Sequence, residues 1–252
     1  MTRASTEQQT SRRVALVTGA NKGIGYEIAV GLGVQGFLVG VGARDDGRRD
    51  AAVRSLQTEG IEAFGVPLDV TSDVSVRAAA QLIEARVGHL DALVNNAGIS
   101  GEMGSGWMQD PTELDLDEVR RVLDTNVFGV VRVTNAVLPL LHRAPSPRIV
   151  NVSSTVGSIT WQADPDVDVG PIMAAYAPSK TYLNAVMMQY VRRLADTNIL
   201  INAVCPGLVA TEFTGFQGRA AQEGAAIAIR LATLPAGGPT GTFTNDEGVV
   251  PW

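Results

Sequence analysis

The stretch Thr18-Gly19-Ala20-Asn21-Lys22-Gly23-Ile24-Gly25 joins the apolar run Val14–Thr18 to an amphipathic segment that begins near residue 24. A short apolar run before a glycine-rich turn predicts a buried strand, and the segment after it predicts a helix. Glycines in such a turn let the backbone bend sharply and let the helix pack closely against the strand. The stretch therefore predicts a strand–turn–helix unit that opens an α/β fold.

The same alternation of apolar runs and amphipathic segments continues along the chain. It predicts strands at Val14–Thr18, Phe37–Ala43, Glu62–Leu68, Ala92–Asn95, Arg148–Ser153 and Leu200–Cys205, and helices near 24–35, 47–59, 73–87, 115–142 and 177–196. Strands that alternate with helices indicate a doubly wound parallel sheet of the Rossmann type. We expect a single α/β domain over residues 13–252, preceded by a loose N-terminal tail at residues 1–12.

The composition supports a globular domain and excludes several classes of function. Of 252 residues, 45% are hydrophobic and 18% are charged, which suffices for a sizeable core. The formal net charge of −6 argues against nucleic-acid and anionic-membrane partners. Cys205 is the only cysteine, which favours a cytoplasmic location, and with only two histidines beside it we expect no metal site.

The position of the glycine turn indicates a nucleotide site. A helix that starts directly after a tight turn offers free N–H groups to phosphate, and glycines let the backbone approach a pyrophosphate. A tight turn with no ligand is the alternative interpretation. The strand before it, the helix after it and its place near the chain start favour a dinucleotide on Gly19, Asn21, Lys22, Gly23, Ile24 and Gly25.

The end of the second predicted strand distinguishes the two nicotinamide dinucleotides. A carboxylate there reads the ribose 2′-hydroxyl of NAD, whereas an arginine suits the 2′-phosphate of NADP. Arg44 comes first, and Lys22 adds a second cation, so the charge balance favours NADP(H) as the cofactor. Asp45 and Asp46 keep NAD open, because they are either NAD-reading groups or solvated acids at the start of a helix.

Tyr176 and Lys180 are four residues apart where a helix is expected to begin, so both side chains share one face. Pro178 between them is tolerated only in a first turn, which places Tyr176 at the helix start. Positions 22 and 180 hold the only lysines, against 18 arginines. An ammonium about 5 Å from a phenolate contributes roughly 3 kcal/mol at an effective dielectric near 20, so we expect Lys180 to lower the pKa of Tyr176 by about two pH units.

Ser154 follows the predicted strand Arg148–Ser153 at the same edge of the sheet. Its hydroxyl can hydrogen-bond a substrate oxygen beside the phenol of Tyr176. The alternative is a turn-forming serine within Ser153-Ser154-Thr155.

In this order the motifs resemble those of the short-chain dehydrogenase/reductase family, over nearly the whole chain from Val14. They are Thr18–Gly25, Asp69-Val70, Asn95-Asn96-Ala97-Gly98, Asn126, Ser154, Tyr176 with Lys180, and Pro206-Gly207 followed by Thr211. The glycine turn, Arg44 and the closing Gly238-Pro239-Thr240-Gly241 and Pro251-Trp252 are most similar to carbonyl-reductase-type members.

The resemblance implies a role for each matching residue. Tyr176 is the implied acid/base, and Lys180 tunes it and holds the nicotinamide ribose. Ser154 orients the carbonyl, and it is chosen over Ser153 because two residues separate it from Gly157, as in the family. Asn126 anchors a water-mediated proton path, in a run of poor helix formers that predicts a local kink. The remaining implied cofactor contacts are Asp69, Val70, Asn96, Ala97, Gly98, Pro206, Gly207, Val209 and Thr211.

One departure from the family concerns the 22 positions from Ser154 to Tyr176, a spacing longer than usual. Monomeric members carry a larger insertion there, so the choice between monomer and homo-oligomer stays open. The insertion holds Asp164, Asp166 and Asp168, but its spacing fails the calcium-loop pattern, and we interpret it as a solvated acidic loop.

The resemblance implies NADPH-dependent, reversible reduction of a ketone or aldehyde to an alcohol. An NAD-dependent alcohol or sugar dehydrogenase and a non-catalytic dinucleotide-sensing regulator are the alternatives. The segments Ser100–Leu116, Ser158–Ala175 and Thr211–Thr244 are expected to wall a pocket for a small apolar or aromatic substrate. They supply Trp107, Met108, Trp161, Ile172, Met173, Phe213 and Phe216, with Arg219 as the main positive charge.

Overall fold

The sheet contains all six expected strands. In the computed structural model, which describes residues 12–103 and 108–252, they are β1 (Val14–Thr18), β2 (Leu38–Ala43), β3 (Ala63–Pro67), β4 (Ala92–Asn95), β5 (Arg148–Val152) and β6 (Leu200–Val204). Two short strands that the sequence analysis did not predict, β7 (Phe243–Asn245) and β8 (Gly248–Val249), extend the sheet. The order is β3-β2-β1-β4-β5-β6-β7-β8, parallel except for the β7–β8 pair. The predicted doubly wound α/β fold is confirmed.

The helices flank this sheet on both faces. They are α1 (Gly23–Val34), α2 (Asp46–Thr58), α3 (Asp73–Val87), α4 (Leu116–Leu123), α5 (Gly129–Leu141), α6 (Ile159–Ala163), α7 (Tyr176–Arg193) and α8 (Ala221–Ala232). A π-helical turn at Asp124–Phe128 divides the predicted helix 115–142, at the expected kink. Ser72 caps α3 and Asp115 caps α4 through their side-chain oxygens, which satisfy otherwise free N–H groups.

Two hydrophobic clusters hold the layers together, one on each face of the sheet. On one face Leu16 and Ile149 pack with residues of α3, α5 and α7. On the other face Val17 and Val41 pack with residues of α1, α2 and α8. Successive residues of a strand point to opposite faces, so each central strand serves both clusters. Burying one such side chain contributes roughly 1.5–3 kcal/mol, which makes this core the main source of stability.

The parallel strands bring distant segments to one edge. β1 ends at the glycine turn, β2 at Arg44, β4 at Asn96 and β5 at Ser153 and Ser154. Carboxyl ends of parallel strands form the ligand-binding crevice of such sheets.

Two predictions fall on chain that the structure does not describe. Residues 1–11 of the expected tail and Trp107 of the expected pocket lie outside the described residues. The boundary between tail and domain therefore stays a prediction. Within the described ranges, none of the helices has the length and apolar character needed to cross a membrane.

Candidate active site

The glycine turn is clamped between β1 and β4 by hydrogen bonds. The Thr18 hydroxyl accepts the backbone N–H groups of Asn96 at 3.0 Å and Ala97 at 2.9 Å. The Asn96 side chain donates in return to the Thr18 carbonyl at 2.9 Å. A Cβ on Gly25 would lie 2.4 Å from the Gly19 carbonyl oxygen, so only glycine permits this approach. Asn96 thus braces the turn through its side chain.

The start of α1 is open toward the carboxyl edge. Lys22 is the N-cap residue, and no side chain in the described part of the protein caps the helix. The first turn carries no acidic residue, and Thr211 faces it, with its Cγ2 3.2 Å from the position of a Cβ on Gly23. Free N–H groups and the positive end of the helix dipole stabilise a bound anion. This arrangement fits the pyrophosphate of a dinucleotide.

Several charged side chains surround this helix start. Arg44 is exposed at the end of β2. Lys22 forms an ion pair with Glu212, and this hydrogen bond, together with the charges of Lys22 and Arg48, lowers the pKa of Glu212. Arg48 and Glu212 were missed by the sequence analysis. Glu212 is far along the chain, and neither residue type is distinctive in a surface segment.

The two acids beside Arg44 are engaged in local structure. The Asp45 side chain caps α2 by accepting the Arg48 N–H at 2.8 Å, and Asp46 pairs with Arg49 at 2.6 Å. Both contacts match the interpretation of these residues as acids at a helix start. The edge at Arg44 is therefore suited to a 2′-phosphate.

The expected adenine side lies at the end of β3. Asp69 accepts the backbone N–H of Thr71 at 2.9 Å and its hydroxyl at 2.7 Å. Burial raises the pKa of Asp69, but these hydrogen bonds and the charges of Arg44 and Arg132 outweigh it and lower that pKa. Val70 packs on Gly129, where a Cβ would come within 2.9 Å of its Cγ2.

Tyr176, Ser154 and Lys180 come together at the mouth of α7. Tyr176 is the first residue of α7, as Pro178 predicted, and the Ser154 hydroxyl is close enough to its phenol to lower the pKa of Tyr176. Lys180 Nζ lies 5.5 Å from the centre of the Tyr176 ring and donates to the Val152 carbonyl at 2.8 Å. An ammonium has three donors, and this bond uses one of them.

Burial controls the pKa values of this pair. It lowers the pKa of Lys180 to about 8, although the nearby Cys205 acts in the opposite direction. It also raises the pKa of Tyr176 above its ordinary value, as does the charge of Cys205, whereas the hydrogen bond from Ser154 lowers it. The expected fall in the Tyr176 pKa was therefore wrong for the protein by itself. Removing the phenolate from water costs more than the interaction with Ser154 returns.

Asn126 lies in the π-helical turn and is 1% exposed. Its side chain pairs with the backbone of Ile99, donating to the carbonyl at 2.8 Å and accepting the N–H at 2.9 Å. It also donates to the Ser179 hydroxyl at 3.0 Å, and Ser179 donates to the Tyr176 carbonyl at 2.6 Å. Asn126 thus links the segment after β4 to the helix that carries Tyr176.

Two of the expected cofactor contacts have apolar side chains that pack within the protein. The Ile24 side chain packs into the core, and that of Val209 packs on Gly224. The Ser153 hydroxyl donates to the Asn184 side-chain oxygen at 2.8 Å, so its one proton is already engaged, in agreement with the choice of Ser154 over Ser153. After β6, the Gly207 N–H donates a hydrogen bond to the Cys205 sulfur at 3.4 Å.

The side of the phenol that faces the expected pocket is apolar. The Phe213 ring lies 5.4 Å from the Tyr176 ring, centre to centre. Met108, Ile172 and Phe216 are exposed apolar side chains of the flanking segments, and Leu208, just before the third segment, is also exposed and was missed by the sequence analysis. Trp161 is partly buried and packs against the core.

Comparisons with known proteins agree with this geometry. A family model described as short chain dehydrogenase matches residues 13–222. Short-chain dehydrogenase/reductase 1 of Saponaria officinalis is 37% identical over 295 aligned positions, covering 96% of each chain. Carbonyl reductase (NADPH) 1 of Rattus norvegicus is 34% identical, covering 96% of this chain and 99% of that protein. The crystal structure of an NADPH-bound carbonyl reductase from chicken fatty liver aligns with a TM-score of 0.81 at 29% identity, covering 96% and 99% of the two chains. Motif order, site geometry and these similarities together mean that the chain belongs to the short-chain dehydrogenase family.

Proposed function

We propose that this protein catalyses the reversible, NADPH-dependent reduction of a ketone or aldehyde to an alcohol. The observation that carries the proposal is the meeting of three side chains at the mouth of α7: the buried Tyr176 phenol, the Ser154 hydroxyl that lowers its pKa, and Lys180, whose Nζ lies 5.5 Å from the centre of the Tyr176 ring. The open start of α1 lies at the same sheet edge. Relatives whose names specify carbonyl reduction and NADPH support the same reaction.

Tyr176 supplies the proton of the reduction. The dinucleotide, when bound, supplies a hydride to the carbonyl carbon. Tyr176 gives its phenolic proton to the carbonyl oxygen, and Ser154 donates a hydrogen bond to that oxygen. The carbonyl gains one hydride and one proton and becomes an alcohol. A raised pKa keeps the phenol protonated at neutral pH, as an acid catalyst requires.

Lys180 and Asn126 restore the proton. The phenolate left on Tyr176 takes a proton from the direction of the Lys180 ammonium, whose pKa of about 8 suits transfer near neutrality. Asn126, on the π-helical turn, holds the far end of this path, next to Gly98.

The cofactor site follows the sheet edge from β1 to β6. We assign the pyrophosphate to the glycine turn, the 2′-phosphate to Arg44 and Lys22, and the adenine to Asp69 and Val70. Asn96, Ala97, Gly98, Tyr176, Lys180, Pro206, Gly207, Val209 and Thr211 complete the proposed contacts. The capping role of Asp45 favours NADPH over NADH, because a carboxylate already bonded to Arg48 N–H is a poor ribose reader.

The substrate class we propose is a small apolar or aromatic carbonyl compound. Phe213 packs on Tyr176, and Met108 and Ile172 are exposed in the flanking segments. Arg219, the main cation expected near the pocket, forms an ion pair with Asp246 and donates to the Pro206 carbonyl at 3.1 Å. A guanidinium engaged in this way does not recruit a carboxylate or phosphate.

The test is the rate of NADPH and NADH oxidation with a panel of aldehydes, ketones, diketones and quinones. We expect NADPH to be consumed faster than NADH, with apolar carbonyls preferred over their carboxylated analogues. A faster reaction with NADH would overturn the cofactor assignment. Binding of both nucleotides without turnover, in either direction, would instead favour the dinucleotide-sensing alternative.

A further inference from the structure

Gln109 joins the first turn of α7 to the segment after β4. Its side chain is buried, and the residue is 4% exposed. Its Oε1 accepts the backbone N–H groups of Ala175 at 3.0 Å and Tyr176 at 3.2 Å. Its Nε2 donates to the carbonyl oxygens of Ser100 at 2.9 Å and Glu102 at 3.1 Å. One neutral amide therefore satisfies two donors and two acceptors in two segments of the chain.

The start of α7 depends on this side chain. Ala175, its N-cap residue, has no polar side chain to cap the helix, and among the described residues Gln109 takes that place. The backbone of Gln109 also bonds the chain before α7, because its N–H donates to the Ile172 carbonyl at 2.8 Å. Ala174 N–H donates to the Gln109 carbonyl at 3.3 Å. The side chain and the backbone of Gln109 therefore both bond the segment that leads into α7.

We propose that Gln109 is a positioning residue that fixes Tyr176 relative to Ser154. This inference rests on the proposed reaction. The phenol is carried by α7 and the serine hydroxyl by the end of β5, so proton transfer requires the first turn of α7 to stay in place. A displacement of about 1 Å in a reacting group can lower the rate roughly 10²-fold. Gln109 touches only the backbone of Tyr176, so it acts through that residue.

The amide chemistry of Gln109 predicts different effects for two substitutions. Leucine is similar in size but leaves all four backbone partners without a hydrogen bond inside the protein. Glutamate still accepts from the helix N–H groups, but it loses both donors and places a negative charge near Tyr176. That charge raises the pKa of the phenol.

The experiment compares Gln109→Leu and Gln109→Glu with the wild type and with Gln57→Leu. Gln57, on α2, is a matched control because its side-chain amide also donates a hydrogen bond to a backbone carbonyl, that of Ala63, at 3.0 Å. The measurements are kcat, KM and their pH dependence for a ketone that the wild type reduces, NADPH affinity, and hydrogen exchange of the Ala175 and Tyr176 amides.

We expect Gln109→Leu to lower kcat about 10²-fold and to speed exchange at both amides, with NADPH affinity within about twofold of wild type. Gln109→Glu keeps the exchange slow, lowers kcat, and moves the alkaline limb of alcohol oxidation upward by about one pH unit. Gln57→Leu should match the wild type in all of these measurements.

Three outcomes overturn the inference. The first is unchanged exchange in Gln109→Leu, and the second is faster exchange with unchanged kcat. The third is an equal fall of kcat in both Gln109 variants together with a loss of NADPH binding, because this combination indicates general unfolding. Hydrogen exchange needs no turnover, so a wild type that reduces no carbonyl overturns the proposed function while the exchange result still decides whether Gln109 holds α7.

Discussion

Two helices, α1 and α7, begin at the same edge of the sheet, and neither is capped by the side chain of its own N-cap residue. At α1 the N-cap residue is Lys22, and none of the described side chains caps the free N–H groups of the helix start. At α7 the N-cap residue is Ala175, and the Gln109 amide fills the helix start from another segment. The two helix starts therefore differ in what satisfies their free N–H groups.

The difference separates binding from chemistry. A helix start left free by the protein can stabilise a ligand phosphate. A helix start filled by a buried amide is held in one position, which suits a residue that must meet a substrate with sub-ångström accuracy. Damage at α1 should therefore weaken nucleotide binding, and damage at α7 should slow turnover.

The largest effect is expected for Tyr176→Phe. Removing the phenolic hydroxyl removes the proposed proton donor, so reduction should fall about 10³-fold or more, while NADPH affinity stays within about threefold. Steady-state kinetics measures the reduction rate, and titration of NADPH fluorescence measures the affinity. Near-wild-type reduction by the variant would show that the acid lies elsewhere.

Gly19→Ala should mainly weaken NADPH binding, whereas Tyr176→Phe mainly slows reduction. Gly19 has φ of +67°, and a Cβ there would lie 3.0 Å from the Ala97 Cα, so alanine displaces the turn. NADPH affinity should fall about 10²-fold, which corresponds to about 2.7 kcal/mol. Gly36→Ala is the matched control, because Gly36 has φ of +84° but open space around its Cβ position. Equal nucleotide affinity in the two variants would contradict the assignment of the pyrophosphate to this turn.

Arg44→Ala should weaken NADPH binding about tenfold to 100-fold and leave NADH binding nearly unchanged, because a charge-assisted bond to phosphate contributes about 1.5–3 kcal/mol. Arg54→Ala, on the exposed surface of α2, serves as the control. In the same titrations Asp45→Ala should keep the NADPH preference. A change of preference in that variant would make Asp45 a ribose-reading residue.

The smallest effect is expected for the stability of Lys180→Met. Burial lowers the pKa of Lys180 from 10.5 to about 8, so at pH 7 the folded protein holds a charge that it disfavours. The unfolded state binds more protons between those two values, and the stability of the wild type therefore rises with pH from about 8 to 10. Lys180→Met should be more stable by about 1–3 kcal/mol at pH 7, less the lost bond to Val152, while losing activity.

Urea unfolding at pH 7 and at pH 9.5 measures this difference. The advantage of Lys180→Met should shrink at the higher pH. An advantage independent of pH would mean that Lys180 is not a buried cation in the folded protein.

The sequence predicted the central part of the fold well because its signals are local. The strands Val14–Thr18 and Ala92–Asn95 and the helix Asp73–Val87 have the predicted bounds. The strands β7 and β8 were missed because three and two residues are too short to show a periodicity. Phe243 joins the sheet through its pairing with Ala203, a contact that depends on the folded chain.

What the sequence determined by itself about the site was the set of residue types and their spacing. The glycine turn, Tyr176 with Lys180 four positions later, and the kink at Asn126 are all properties of short segments. Only the tertiary structure decided which side chains complete them. Gln109 reaches the start of α7 and Glu212 reaches Lys22, and burial reverses the expected direction of the Tyr176 pKa. Spacing along a helix is set by local geometry, whereas partners and desolvation depend on segments that meet only after folding.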